Sequence, residues 1–291
     1  MTWYQALLLG IIEGLTEYLP ISSTGHLILS GWLLGLSGDA ERWAAVFRFN
    51  IVIQSGAIAA VVILYRQRVQ SILAGVAGLD PEGRRLAGNV LLAFLPAAVA
   101  GLMFGDVVEA RLNGPWPVVY ATFVGAWLML AVVWWRRGSG HDDGDGLDAI
   151  DWRVALPIGL AQCVALWPGT SRSMVTIVGG LALGLSPTAA AEFSFLLGLV
   201  TLTAATAYTV LRDGPEMFAY FGPAAVMIGL AASTISAAAA VKWFVRFLNQ
   251  RGLGPFAWYR LLLAGVLAAA LLGGHLEVPQ LVPEKSVLPP D

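Results

Sequence analysis

The sequence predicts an all-α polytopic membrane protein built as an inverted-topology repeat, each half one re-entrant helical hairpin plus three transmembrane helices. Three observations carry that prediction. Of 291 residues, 57% are hydrophobic and 12% charged, with mean hydropathy +0.72; a soluble domain carries about 25% charged residues, which disfavours a soluble helical bundle. Several apolar runs approach the roughly 20 residues that cross a bilayer. Finally, two stretches far apart in the chain share a layout of short apolar helix, proline break and hydroxyl cluster: EGLTEYLPISSTGH at 13–26 and QCVALWPGTSRSMVT at 162–176.

The elements follow in order. Residues 2–19 are apolar but carry Glu13 and Glu17 and stop at Pro20; residues 27–36 form a second short apolar piece. Each is too short or too polar for a clean span, so together they read as a hairpin that dips in and returns. Broken backbone is tolerated at membrane depth only where protein or a wet cavity covers it. Spans follow at about 43–65, 86–106 and 116–135. A second hairpin is predicted from 154–167, which stops at Trp167-Pro168-Gly169, and 173–185; three more spans follow at about 187–211, 219–245 and 256–274. Residues 1–276 thus form a single integral membrane domain with halves of about 1–136 and 152–276. The polar, proline-rich stretch 277–291 reads as a disordered tail.

Loop charge sets the orientation. Linkers 66–85, 136–153 and 246–255 hold Arg66, Arg68, Arg84, Arg85, Arg136, Arg137, Arg153, Arg246 and Arg251. The positive-inside rule makes that side cytoplasmic, puts both termini outside and lets the first hairpin enter from outside. The acidic run Asp142 to Asp151 reads as a solvated loop; its spacing fits no EF-hand. The net charge of −2 gives no pointer to nucleic acid. The lone Cys163 excludes an internal disulfide and a cysteine-rich metal site. It reads as small apolar packing. No basic segment precedes the first apolar run, so residues 1–19 are not read as a cleaved signal peptide.

The two interrupted stretches hold the candidate chemistry. Glu13 and Glu17, four apart, share a helix face. A bare carboxylate in hydrocarbon costs at least about 2.5 kcal/mol, so the pair implies a divalent cation, or a base with a tuned neighbour. The plainer alternative is a structural ion pair or a solvated helix end. Ser22, Ser23 and Thr24 suit the N-cap of the next helix. That helix start also offers free N–H groups to a phosphate. Ser23 needs a base to act as nucleophile, and Glu17 or His26 could serve; His26 could instead be a packed histidine. Arg172 is a cation inside an apolar stretch, where an anionic partner is expected, and its fork matches two phosphate oxygens. The alternative is an ion pair to Glu13 or Glu17. Gly169 would let backbone approach a ligand, and Ser171, Ser173 and Thr176 add hydroxyls. Gln162 stands where the first hairpin has a carboxylate. Gln54 and Glu192, inside spans, either line the cavity or make interhelical hydrogen bonds. His141 and His275 read as solvated.

EGLTEYLPISSTGH and WPGTSRSMVT resemble the two signature regions of the undecaprenyl-diphosphatase family, the BacA/UppP bacitracin-resistance proteins. FNIVIQSGAI (49–58) and AEFSFLL (191–197) add to the resemblance, which covers about residues 2–272. The resemblance implies a multi-pass inner-membrane hydrolase that cleaves undecaprenyl diphosphate to the monophosphate and inorganic phosphate. Such an enzyme recycles the lipid carrier for peptidoglycan and confers resistance to bacitracin, which sequesters the substrate. It also implies dependence on magnesium or calcium and two re-entrant hairpins, and is compatible with a homodimer. By motif position, Glu13 and Glu17 match the acidic pair, Ser22, Ser23 and His26 the serine and histidine positions, and Arg172 the diphosphate-binding arginine. Asn50 stands where an acidic residue is expected, Met174-Val175 replaces smaller residues, and the tail is extra.

The expected site therefore joins Glu17, Ser23, His26 and Arg172 as catalytic groups and Glu13 with Glu17 as metal ligands. Ser22, Thr24, Gln54, Gln162, Gly169, Ser171, Ser173 and Thr176 would hold the diphosphate, and the site would open to the periplasmic face. Attack by Ser23 and attack by water both remain open. The rival class is a secondary transporter or lipid-carrier flippase, since inverted repeats and broken helices recur there. A purely structural scaffold leaves Glu13, Glu17 and Arg172 unexplained.

Overall fold

Pro20 and Pro168 decide the architecture locally, because a proline ring clashes with the preceding turn and donates no hydrogen bond. In the structure, a computed structural model that describes residues 1–112, 114–139, 144–274 and 276, a short helix ends ahead of each proline and another begins after it. The first pair is α1 (Trp3–Thr16) and α2 (Ser23–Leu33). At 1.5 Å per residue, the 14 residues of α1 and 11 of α2 reach about 21 and 16 Å, short of a hydrocarbon layer of about 30 Å.

Helix α3 (Ala40–Leu64) follows, capped by Asp39, whose Oδ1 accepts from Arg42 N at 2.7 Å. The next segment, expected to be linker, is half helical: α4 covers Arg66–Val76 and leaves Leu73 and Val76 exposed. Its Arg-Gln-Arg start masks it in a search for apolar periodicity. Helices α5 (Pro81–Leu112) and α6 (Pro115–Ser139) complete the first set of spans. Asp80 caps α5, accepting from Glu82 N and Gly83 N at 3.0 Å each.

The second hairpin is α7 (Trp152–Gln162), extended by a tight turn over Cys163–Leu166, and α8 (Arg172–Ala182). The acidic run before it is more than a solvated loop where it is described. Asp151 caps α7, Leu147 and Ile150 are buried, and Asp145 bridges to Leu185. Helix α9 runs over Pro187–Arg251 and α10 over Gly254–Leu272. The break expected between the spans of α9 comes instead at Gly222, whose φ of 76° only glycine adopts readily. The last arginine-bearing linker shrinks because helix persists to Arg251. Six stretches among the described residues are long and apolar enough to cross a membrane, α9 supplying two of them, Pro187–Leu211 and Tyr220–Arg251. His141, His275 and the tail 277–291 lie outside the described residues.

Missing side chains set how tightly the helices close. A Cβ at Gly14 of α1 would lie 2.3 Å from Ser233 O, and one at Gly56 of α3 would lie 2.5 Å from Leu230 O. Both α1 and α3 therefore rest directly on the second span of α9, the packing that small residues permit within membranes. That contact delivers Glu17 and Gln54 to one place.

Candidate active site

The tips of the two hairpins share an unusual backbone. Ser22 has φ 72° and Ser171 φ 71°, the only non-glycine residues at positive φ among those described. Such a conformation costs roughly 1–3 kcal/mol and persists where the surroundings impose it. Each serine caps the helix that follows: Ser22 Oγ accepts from Gly25 N and Ser171 Oγ from Met174 N, both at 3.3 Å. Ser23 and Arg172 consequently become the first residues of α2 and α8.

Both reach Glu17. Its Oε2 accepts from Ser23 Oγ at 2.9 Å and from Gln54 Nε2 at 3.2 Å, while its Oε1 accepts from Arg172 Nη2 at 3.1 Å. The arrangement joins both hairpins and α3 on one buried carboxylate. Arg172 Nη1 donates to Ser194 O at 3.0 Å, and the guanidinium sits 5.3 Å over the Tyr18 ring. Its Nε has no hydrogen-bond partner among the described residues. Gly198 of α9 makes this position possible, since a Cβ there would fall 2.3 Å from Nη1. The ion pair considered as the plain role of Arg172 is thus present, and it joins the two hairpins.

Glu13 lies one turn earlier on α1. It is fully buried beside Glu17, Gln54 and Arg172, and among the described residues neither carboxylate oxygen meets a donor at good hydrogen-bond geometry. Ser23 and Thr24 border a cavity of about 100 Å³ whose walls include Gln54, Asn50, Trp43 and Leu27. Asn50, at the position where an acid is expected, keeps a buried Oδ1 without a partner among the described residues.

Other expected site residues are occupied elsewhere. His26 is not a partner of Ser23 or Glu17: its Nδ1 is 2.7 Å from Ser22 O, and its Nε2 is 2.7 Å from the hydroxyl of Tyr259 on α10, with the rings stacked. Ser173 links the hairpins, donating to Leu19 O at 3.0 Å, with Ser171 Oγ also 3.0 Å away. Thr176 is buried against Ser194 Oγ at 2.7 Å. Gly169 closes on Val118 of α6, 2.7 Å from a would-be Cβ, rather than on the Ser23 cavity. Gln162 accepts from Thr201 at 3.3 Å and takes no part in the Glu17 network; its Nε2 is buried without a partner among the described residues. Glu192 pairs with Arg68 at 2.9 Å, away from the site.

The structure adds groups that motif reading passes over. Tyr18 and Ser194 support Arg172, Tyr259 holds His26, and Arg260 is wholly buried in α10. Arg260 carried a usable signal, because a cation inside an apolar stretch is the feature that singles out Arg172.

Known proteins resemble this chain along most of its length. The sequence profile of the family described as "Bacitracin resistance protein BacA" matches residues 6–266. The chain is 46% identical to the undecaprenyl-diphosphatase of Sorangium cellulosum over 92% of its own length and 86% of the relative's. It is 43% identical to undecaprenyl-diphosphatase 2 of Rhodospirillum rubrum, covering 93% and 95% of the two chains. Against the undecaprenyl-diphosphatase of Aromatoleum aromaticum the identity is 45%, over 91% and 93%. A match that reaches both hairpins and all six apolar spans makes this chain a member of the BacA bacitracin-resistance protein family.

Proposed function

We propose that this protein hydrolyses undecaprenyl diphosphate to undecaprenyl phosphate and inorganic phosphate. The carrying observation is that one buried carboxylate, Glu17, receives both a hydroxyl from the first hairpin and a guanidinium from the second. Family membership and the names of the relatives support the same reaction, and they do not favour the transporter reading. The product is the lipid carrier for peptidoglycan synthesis. Removing the diphosphate form lowers the pool that bacitracin sequesters.

The phosphoryl group must be positioned and its charge stabilised. In our reading the terminal phosphoryl group lies beside Ser23, the N-terminal amides of α2 and α8 face it, and Arg172 meets its charge. Ser23 Oγ attacks the terminal phosphorus as its proton passes to Glu17 Oε2, the oxygen it already touches at 2.9 Å. The bond to the bridging oxygen breaks, and undecaprenyl phosphate leaves with that electron pair. Water then opens the phosphoserine, releasing inorganic phosphate and restoring the hydroxyl. Direct attack by water on the same phosphorus, with Ser23 as a ligand, is the second mechanism. The donation from Ser23 to Glu17 favours the first, and the engagement of His26 with Tyr259 favours Glu17 over His26 as base.

The residues fit a hard divalent cation, magnesium or calcium. Glu13 offers a fully buried carboxylate beside Glu17, with no donor at good geometry among the described residues. Among the described residues no group of three or more His, Cys, Asp or Glu could hold a metal ion, so an ion here would take the two carboxylates together with substrate phosphate and water. Such an ion would neutralise phosphate charge as the leaving group departs.

The inverted repeat is part of this reading. It is supported by the matched serine caps at Ser22 and Ser171, whose spacing in the chain equals that between Glu13 and Gln162. With it go insertion in the bacterial inner membrane and a site that opens to the periplasm. The test is phosphate release from undecaprenyl diphosphate by purified protein in detergent. Vesicle transport of the lipid without release of phosphate would reverse the conclusion.

A further inference from the structure

The guanidinium of Arg260 is fully buried in α10 and has no carboxylate partner among the described residues. Its Nε donates to Thr122 O at 3.2 Å, and its Nη2 donates to Ala121 O at 3.1 Å and to Gly169 O at 3.2 Å. Its Nη1 reaches Pro20 O at 3.5 Å. Two of these carbonyls belong to α6. The other two are the tips of the two hairpins, and each stands three residues ahead of a functional side chain: Pro20 ahead of Ser23, Gly169 ahead of Arg172.

The environment is shaped for this cation. Gly125 of α6 has no side chain where a Cβ would lie 2.4 Å from Nη2. Thr122 Oγ1 reinforces the second tip, donating to Gly169 O at 3.3 Å. Packing alone would be served by an apolar residue, since replacing buried charge with well-packed hydrophobic side chains is often neutral or stabilising. What an apolar residue cannot do is hydrogen-bond carbonyls that the broken helices leave without partners at membrane depth. Only arginine presents five donors in a rigid plane that can address several carbonyls at once.

We infer that Arg260 is a positioning residue for this reaction: one guanidinium fixes the separation of the two hairpin tips and so keeps Ser23 and Arg172 aligned on Glu17. The inference rests on the phosphatase reading for its kinetic test, though not for its structural one. Tyr259, the preceding residue, contributes to the same anchorage by holding His26 of α2.

Arg260→Lys keeps the charge and loses the fork. In full-length protein purified in detergent, kcat should fall about 100-fold, the scale of a misalignment near 1 Å, with KM little changed. Combined with Arg172→Lys, the loss should be far smaller than the product of the two single losses, because the alignment is already gone. Amide exchange should rise at residues 17–24 and 167–173 while the spans stay protected. A folded Arg260→Lys protein with wild-type turnover, with losses that multiply, or with unchanged exchange at both tips overturns the inference. If that variant does not fold, Gly125→Ala carries the test, its Cβ falling 2.4 Å from Nη2: lower kcat at constant KM supports the inference and unchanged kcat overturns it. Wild-type protein that releases no phosphate would sink the phosphatase reading alone, leaving the exchange measurement to decide this one.

Discussion

Glu17 and Arg172 are 155 positions apart in the chain and 3.1 Å apart in space, with both side chains more than nine-tenths buried. A pair this deep is a poor device for stability alone, since desolvation offsets most of its attraction. Its value is geometric: it fastens the start of α8 to the end of α1 with Ser23 beside both. Arg172→Ala should reduce phosphate release about 100- to 1000-fold, as loss of one transition-state donor does, while the protein stays folded. Near-normal hydrolysis by that variant would remove Arg172 from the diphosphate site.

Removing the other partner is expected to cost stability as well. Glu17→Ala leaves a buried guanidinium uncompensated, a loss of about 3 to 5 kcal/mol. Thermal unfolding in detergent reads it directly. A Tm equal to that of the unaltered protein would mean the pair is solvated in the membrane-like state.

Gly198 tests the same site without touching its chemistry. A Cβ at 198 would meet Nη1, Cζ and Nη2 of Arg172 at 2.3 to 2.6 Å. Gly198→Ala should displace the guanidinium and lower turnover at least tenfold. A fully active Gly198→Ala enzyme would place the working position of Arg172 elsewhere.

The two hydroxyl-bearing neighbours of the hairpin should separate cleanly. Ser23→Ala should abolish turnover if Ser23 is the nucleophile, and appreciable residual activity would point to water. Tyr259→Phe and His26→Gln should each lower activity modestly and by similar factors, because the pair acts as an anchor at 2.7 Å. A His26→Gln enzyme as dead as Ser23→Ala, beside an active Tyr259→Phe, would return His26 to the chemistry.

Glu13 carries the metal prediction. A chelator should stop phosphate release, and magnesium or calcium should restore it. Glu13→Gln should raise the divalent-ion concentration needed for half-maximal rate without unfolding the protein. An unshifted ion titration in that variant would detach Glu13 from the ion.

The sequence by itself determined the membrane class, the two interrupted hairpins and most of the groups on Glu17. Composition and proline placement act locally, and a carboxylate, a serine or an arginine inside an apolar run is conspicuous wherever it folds. It could not assign partners. His26 looked like a base because it lies three residues from Ser23 in the chain, yet its ring is taken up by Tyr259, 233 positions away. Gln162 and Glu192 sat in suggestive places and are engaged with Thr201 and Arg68. Helix α4 was hidden by its polar start, and the kink of α9 fell at Gly222. Only the tertiary structure decided which buried polar groups meet, because that depends on helix crossings closed at Gly14 and Gly56 and on the direction each hairpin tip faces. Those are properties of packing between distant segments, and local spacing carries no record of them.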